Sequence, residues 1–136
     1  MEGDMRVLVV DDERYIRETL ARLFTDHDFD VAVAEDGEQA LQMLAQESFD
    51  VVVSDVKMPR MDGFRLLQEI KRIHPQVAVV IMTGFNQDFS IREALTLGAE
   101  DYIRKPFKGL EVVMAVQRAQ ERCHTRRSKP PLASGF

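Results

Sequence analysis

Apolar positions along this chain follow two alternating rhythms. Val7–Val10 is a continuous apolar run of strand length, and Ile16, Leu20, Leu23 and Phe24 then recur at helical spacing. Val31–Ala34 reads as a short strand. Asp36 can cap a helix whose apolar face is Ala40, Leu41, Leu44 and Ala45. Val51–Val53 is a β-branched run, followed by the turn-rich KMPRMDG. Phe64, Leu67 and Ile70 mark a third helix, which His74-Pro75 ends. Val77–Met82 reads as a fourth strand. Asp88 can cap a helix with Ile91, Ala94 and Leu95 inward, and Gly98 stops it. Tyr102-Ile103 is a short fifth strand, and Leu110, Val113 and Val116 face inward on a last helix.

Strands that are apolar throughout, rather than alternating, are buried on both faces. Strand and helix in strict alternation then predict an α/β fold: a doubly wound, five-stranded parallel sheet between two helix layers. In such a sheet the binding crevice lies outside the carboxyl ends of the strands.

Composition narrows the class. The 136 residues suffice for one domain with one sizeable core, and 45% apolar with 30% charged residues fits a folded globular chain. Residues 1–122 are expected to form that domain, and 123–136, ending in SKPPLASGF, have the composition of a basic, proline-containing linker or tail. Arg118, Arg122, Arg126, Arg127 and Lys129 against the single acid Glu121 give the end of the chain +4. Of the net −5, residues 1–117 therefore carry −9, which argues against nucleic-acid binding by the body of the domain. The lone Cys123 excludes an internal disulfide and reads as a plain thiol in a reducing cytoplasm. No apolar run approaches a membrane span, and the acidic MEGDMR start is unlike a signal peptide.

The residues at the strand ends carry the chemistry. Asp11 and Asp12 follow the first strand, Asp55 the third, Thr83-Gly84 the fourth and Lys105-Pro106 the fifth. Each has a plain structural use: Asp12 as a helix N-cap, Asp55 as a turn opener, Thr83 as a cap, Lys105-Pro106 as a strand stop. Together on one rim they describe a single site. Three close carboxylates repel one another and call for a counter-charge. Mg²⁺ suits few protein carboxylates, retained waters and a phosphate oxygen. Lys105 is a point cation able to hold a phosphoryl oxygen, and Thr83 offers a hydroxyl to another. A carboxylate can itself be the nucleophile and form an acyl phosphate.

With DD, then D-x-K-M-P-x-M-D-G, then T-G, then K-P-F at these intervals, the chain resembles the receiver domain of bacterial two-component response regulators over about residues 5–122. The resemblance implies strand order 2-1-3-4-5 and phosphorylation of Asp55 by the phosphohistidine of a sensor histidine kinase or a phosphotransfer protein. It implies Mg²⁺ bound by Asp12 and Asp55, with Asp11 acting mainly through water and the backbone carbonyl of Lys57 as a further ligand. Thr83 and Lys105 would contact the phosphoryl group. Tyr102 would turn inward when Thr83 follows the phosphate, switching a face made of helix 4, strand 5 and helix 5 toward a downstream output domain or protein partner. That face is also a candidate homodimer surface. The resemblance describes a cytoplasmic signalling domain that catalyses only its own phosphorylation and dephosphorylation. It implies neither direct nucleic-acid binding by this domain nor a membrane.

Lys57 and Phe85 flank the expected entrance to the phosphoryl group, which predicts slow self-dephosphorylation. The alternative is a haloacid-dehalogenase-like Mg²⁺-dependent phosphatase. Those enzymes resemble D-x-D-x-T, whereas Lys57 stands at the second acid here and there is no room for a cap domain. A flavodoxin-like nucleotide binder fits less well, because without metal the acidic cup would repel the phosphate. His27, His74 and His124 lack ligand spacing, Met58 and Met61 read as loop packing, and no Walker loop or GxGxxG is present. The last helix lacks the arginine-rich ending of one large DNA-binding subfamily.

Overall fold

The parallel ladder dictates the architecture of the computed structural model, which describes residues 5–84 and 88–128. The elements are β1 (Arg6–Val10), α1 (Arg14–Asp26), β2 (Asp30–Ala34), α2 (Gly37–Gln46), β3 (Val51–Asp55), α3 (Gly63–Ile73), β4 (Ala78–Thr83), α4 (Asp88–Thr96), β5 (Asp101–Arg104) and α5 (Gly109–Ser128). All strands pair in parallel, in the order β2-β1-β3-β4-β5.

The period of two along each strand sorts the core into two layers. Val7, Val9, Val51, Val53, Ala78, Val80 and Met82 face Leu20 and Phe24 of α1 and Val112, Val116 and Ala119 of α5. Leu8, Val10, Val52, Val79 and Ile81 face Ala40 and Leu44 of α2, Leu67 and Ile70 of α3, and Ala94 of α4. Both faces of β1, β3 and β4 are thus fully covered, which is why those runs do not alternate. Burying each large aliphatic side chain contributes about 1.5–3 kcal/mol against leaving it in water.

Three inward assignments on the helices are corrected. Ala45 is exposed, Leu95 is 45% exposed and Leu110 is 64% exposed. Ala45 and Leu95 each lie one residue, about 100° of helix, beyond the buried Leu44 and Ala94. On α5 the buried stripe is Val112, Val113, Ala115, Val116, Ala119 and Cys123, and Leu110 in the first turn lies off it.

Caps explain most boundaries. Asp36 caps α2, its Oδ1 accepting from Gln39 N at 2.9 Å. Asp62 caps α3 in the same way through Arg65 N at 2.9 Å. The N-cap of α1 is Glu13, without a side-chain cap bond, so Asp12 does not serve as that cap. His74 is the C-cap of α3, and Gly98 follows α4 at φ 111°, a left-handed conformation that suits glycine. The side chain of Asp88 lies outside the described residues. Helix α5 continues through Ser128, past the expected domain end at 122, and residues 129–136 lie outside the described set. Among the described residues no helix is long and apolar enough to cross a membrane.

Candidate functional site

The order β2-β1-β3 reverses direction at β1, so the crevice at the carboxyl ends of β1 and β3 is where such sheets bind ligands. The strands run further than their apolar runs suggest. Asp55 is the last residue of β3 and Thr83 the last of β4, rather than the residues following them. Asp55 pairs in register with Met82, and Thr83 with Arg104, the residue before Lys105. Membership in the ladder is what holds these side chains on one rim.

The three carboxylates converge. One oxygen from each of Asp11, Asp12 and Asp55 lies within 4.8 Å of the others. Asp11 and Asp55 are buried and Asp12 is exposed. Asp11 Oδ1 accepts from Glu13 N at 2.9 Å, and Asp55 Oδ1 accepts from Val56 N at 2.8 Å. The second oxygens turn toward Lys105, whose Nζ stands 3.3 Å from Asp55 Oδ2 and 3.6 Å from Asp11 Oδ2. The Lys105-Pro106 peptide is cis.

One ammonium does not neutralise this cup. Burial pushes the Asp11 carboxyl up to about 6, and the neighbouring charges of Asp55 and Asp12 add to the rise against the bond from Glu13 N and the pull of Lys105. Asp55 is likewise raised, chiefly by burial, against the opposing pull of Lys105. Burial works against the Lys105 ammonium, yet the charges of Asp55 and Asp11, the bond to Asp55 and the charge of Glu13 together hold its pKa above the usual lysine value.

The donor set fits a hard dication. It offers oxygen ligands only, an excess of negative charge and an exposed side at Asp12. Asp11 Oδ2 and Thr83 Oγ1 are buried and make no hydrogen bond among the described residues. Such atoms are costly unless a further partner completes them.

The other sequence candidates fall as follows. Lys57 is exposed and forms no ion pair among the described residues. Tyr102 is 38% exposed on β5, between the buried Asp101 and Ile103. Phe85 lies outside the described residues. His27 and His74 sit at helix C-caps and His124 on an exposed position of α5, apart from the acidic cup. Met58 and Met61 pack against the α2–α3 core layer. Cys123 is buried with Sγ 3.4 Å from Gln76 O.

Two contributors were not singled out from the sequence. Gly63 N donates to Val56 O at 2.7 Å, and a Cβ on Gly63 would stand 2.3 Å from Asp55 O. In the sequence it is the last residue of D-x-K-M-P-x-M-D-G and forms an Asp-Gly turn pair with Asp62. Arg17 Nη1 donates to Asp11 O at 2.9 Å, a contact made across the start of α1 without any motif to mark it.

Comparison with known proteins gives a consistent result. The response regulator receiver domain family matches residues 7–117. Response regulator MprA of Mycobacterium avium is 37% identical over 126 residues, covering 93% of this chain and 53% of that protein. This chain therefore spans about half the length of the relatives it matches. A response regulator receiver domain protein from Clostridium thermocellum superposes with a TM-score of 0.84 at 32% identity, covering 90% of this chain and 98% of that one. NtrX from Brucella abortus superposes at 0.86 with 33% identity, covering 91% of this chain and 28% of that one.

Proposed function

The chain belongs to the response regulator receiver domain family, and we propose that within it Asp55 is the phosphoacceptor, served by Lys105, Thr83 and a Mg²⁺ held at Asp11, Asp12 and Asp55. The observation that carries this reading is the convergence of those three carboxylates on Lys105, with the acceptor at the end of a central strand. Nothing in the comparisons supports the phosphatase alternative.

Asp12 and Asp55 would ligate the ion directly. Asp11 would act mainly through water, and the Lys57 carbonyl would add a ligand. Bound there, Mg²⁺ supplies charge neutralisation for an incoming phosphoryl group. The remaining work falls to the protein. Asp55 presents a carboxylate oxygen in line with the phosphorus of a phosphohistidine. The new O–P bond forms as the P–N bond breaks, and the imidazole leaves with its electron pair and takes a proton from solvent. Lys105 Nζ, already 3.3 Å from Asp55, holds one phosphoryl oxygen, and the unpaired Thr83 hydroxyl donates to another. A sensor histidine kinase or phosphotransfer protein is the donor.

The output face is α4, β5 and α5. A groove of about 560 Å³ lies there, lined by Tyr102, Arg104, Met114 and Arg118 among others. Tyr102 stands next to Ile103 on the strand that ends at Arg104, just before Lys105. Movement of Thr83 toward the phosphoryl group opens room for the Tyr102 ring and changes this groove, which biases binding of an output domain, a protein partner or a second copy.

Intact-mass measurement after incubation with Mg²⁺ and acetyl phosphate tests the reading. Wild type gains one phosphoryl group in a Mg²⁺-dependent manner, and Asp55→Asn gains none. Equal gain in the variant would place the acceptor elsewhere.

A further inference from the structure

We infer that the N-terminus of α2 braces the loop after Asp55, with Met61 seated on Gly37 as a positioning residue for the acceptor and for the Lys57 carbonyl. The inference rests on the site reading above.

The loop is held in an uncommon shape. Arg60 lies at φ 70°, left-handed backbone that non-glycine residues seldom adopt. Met61 N donates to Pro59 O at 2.8 Å, closing a three-residue turn around Arg60. Such a turn costs free energy and persists where its surroundings over-determine it.

Those surroundings are on α2. A Cβ on Gly37 would stand 2.7 Å from Met61 Sδ, 3.0 Å from its Cγ and 3.1 Å from its Cβ. Rotating the methionine side chain relieves the first two contacts but not the third, because Cβ is fixed to the backbone. Gly37 thus lets the loop backbone approach α2 as closely as it does. Beside it, Arg60 Nη2 pairs with Asp36 Oδ2 at 3.4 Å, while Asp36 Oδ1 caps α2. That pair is largely exposed on the arginine side and contributes little on its own. The packed Met61–Gly37 contact is the stiffer element.

The contact reaches the acceptor over a short path. Met61 is two residues from Gly63, where a Cβ would stand 2.3 Å from Asp55 O and whose N–H closes the loop on Val56 O. A shift of a few tenths of an ångström at Met61 therefore moves the backbone that carries both Asp55 and Lys57.

A double-mutant cycle tests the brace. Gly37→Ala, Met61→Ala and the double variant are titrated with MgCl₂ by calorimetry, and their backbone amide NMR signals are recorded without metal. Each single variant should weaken Mg²⁺ binding by about fivefold or more, since small misplacements of ligating groups are costly. The double variant keeps the third contact, since alanine at position 61 retains the Cβ that lies 3.1 Å from the new methyl, so its affinity should stay within about twofold of the Gly37→Ala single. In the metal-free domain the amide signals of Val56 and Lys57 should move in the singles, and in the double they should match those of Gly37→Ala. Singles that match wild type in both readouts, or losses that simply multiply in the double, would overturn the brace. The metal-free signals need no Mg²⁺, so a wild type that binds no Mg²⁺ would defeat the site reading while the amide shifts still judged the brace.

Discussion

Lys105 Nζ stands 3.3 Å from Asp55 Oδ2 and 3.6 Å from Asp11 Oδ2, so one ammonium from the end of β5 faces two buried carboxylates from β1 and β3. This relationship makes Lys105 a counter-charge to both carboxylates, and under the proposed function it would also hold a phosphoryl oxygen. Lys105→Met should slow phosphorylation of Asp55 by acetyl phosphate by about 100-fold, the scale of losing one preorganised donor. The rate of mass gain at fixed Mg²⁺ checks it, and a rate near wild type would remove Lys105 from the reaction.

The raised Asp11 carboxyl makes a pH prediction with a definite sign. Its folded value, about 6, lies above the ordinary aspartate value, so the folded state binds the proton more tightly than the unfolded state. Stability of the metal-free domain therefore falls as pH rises from about 4 to about 6, and the penalty is fully present above that range. Asp55 shifts in the same direction. Urea midpoints across this range should fall for wild type and flatten for Asp11→Asn. A midpoint that rises over the same window would contradict the assignment.

Mg²⁺ should reverse that penalty. At neutral pH a saturating ion raises the unfolding free energy, by about 2.7 kcal/mol when present at 100 times its Kd. The Tm gain should vanish with EDTA and shrink sharply in Asp12→Asn, whose exposed carboxylate forms the open side of the cup. Equal gains in wild type and variant would exclude Asp12 as a ligand.

Thr83 is buried, and its Oγ1 has no hydrogen bond among the described residues. Replacing the hydroxyl by a methyl of similar shape removes an unsatisfied polar atom. Thr83→Val should thus stabilise the unphosphorylated domain by about 1 kcal/mol. The same variant should lose coupling between Asp55 phosphorylation and the environment of Tyr102, read by its ring NMR signals. A destabilised variant would show that the hydroxyl is already satisfied.

Gly63 has no room for a side chain, since a Cβ would stand 2.3 Å from Asp55 O and 2.9 Å from Val56 Cα. Both neighbours are backbone atoms, so the loop itself must move. Gly63→Ala should cost about 2–3 kcal/mol in denaturant unfolding, the scale of overpacking a tight site. It should also impair Mg²⁺ binding. Wild-type stability would mean the loop has slack that its geometry does not show.

The elements were legible because their causes are local. Val7–Val10 and Val51–Val53 announce strands covered on both faces, Asp36 announces a cap, and Gly98 announces a stop. Helix faces were less legible at their edges. Leu95 and Leu110 are apolar and near the right phase, yet only the helix's rotation against the sheet decides which side of a 100° step is covered. The true ends of β3 and β4 were also hidden, because Asp55 and Thr83 are polar residues kept in the ladder by their neighbours' hydrogen bonds.

By itself the sequence determined the alternation of strand and helix, the five chemical groups of the rim and the family to which their spacing points. Those follow from side-chain type and short-range periodicity, which a linear string contains. Only the tertiary structure decided that Lys105 bridges Asp11 and Asp55, that Thr83 Oγ1 is buried without a hydrogen bond among the described residues, and that Gly37 and Gly63 permit the close approach of the acceptor loop. Distances of this kind depend on how five strands and their crossovers pack together, and contacts between residues far apart in the chain carry no local signature.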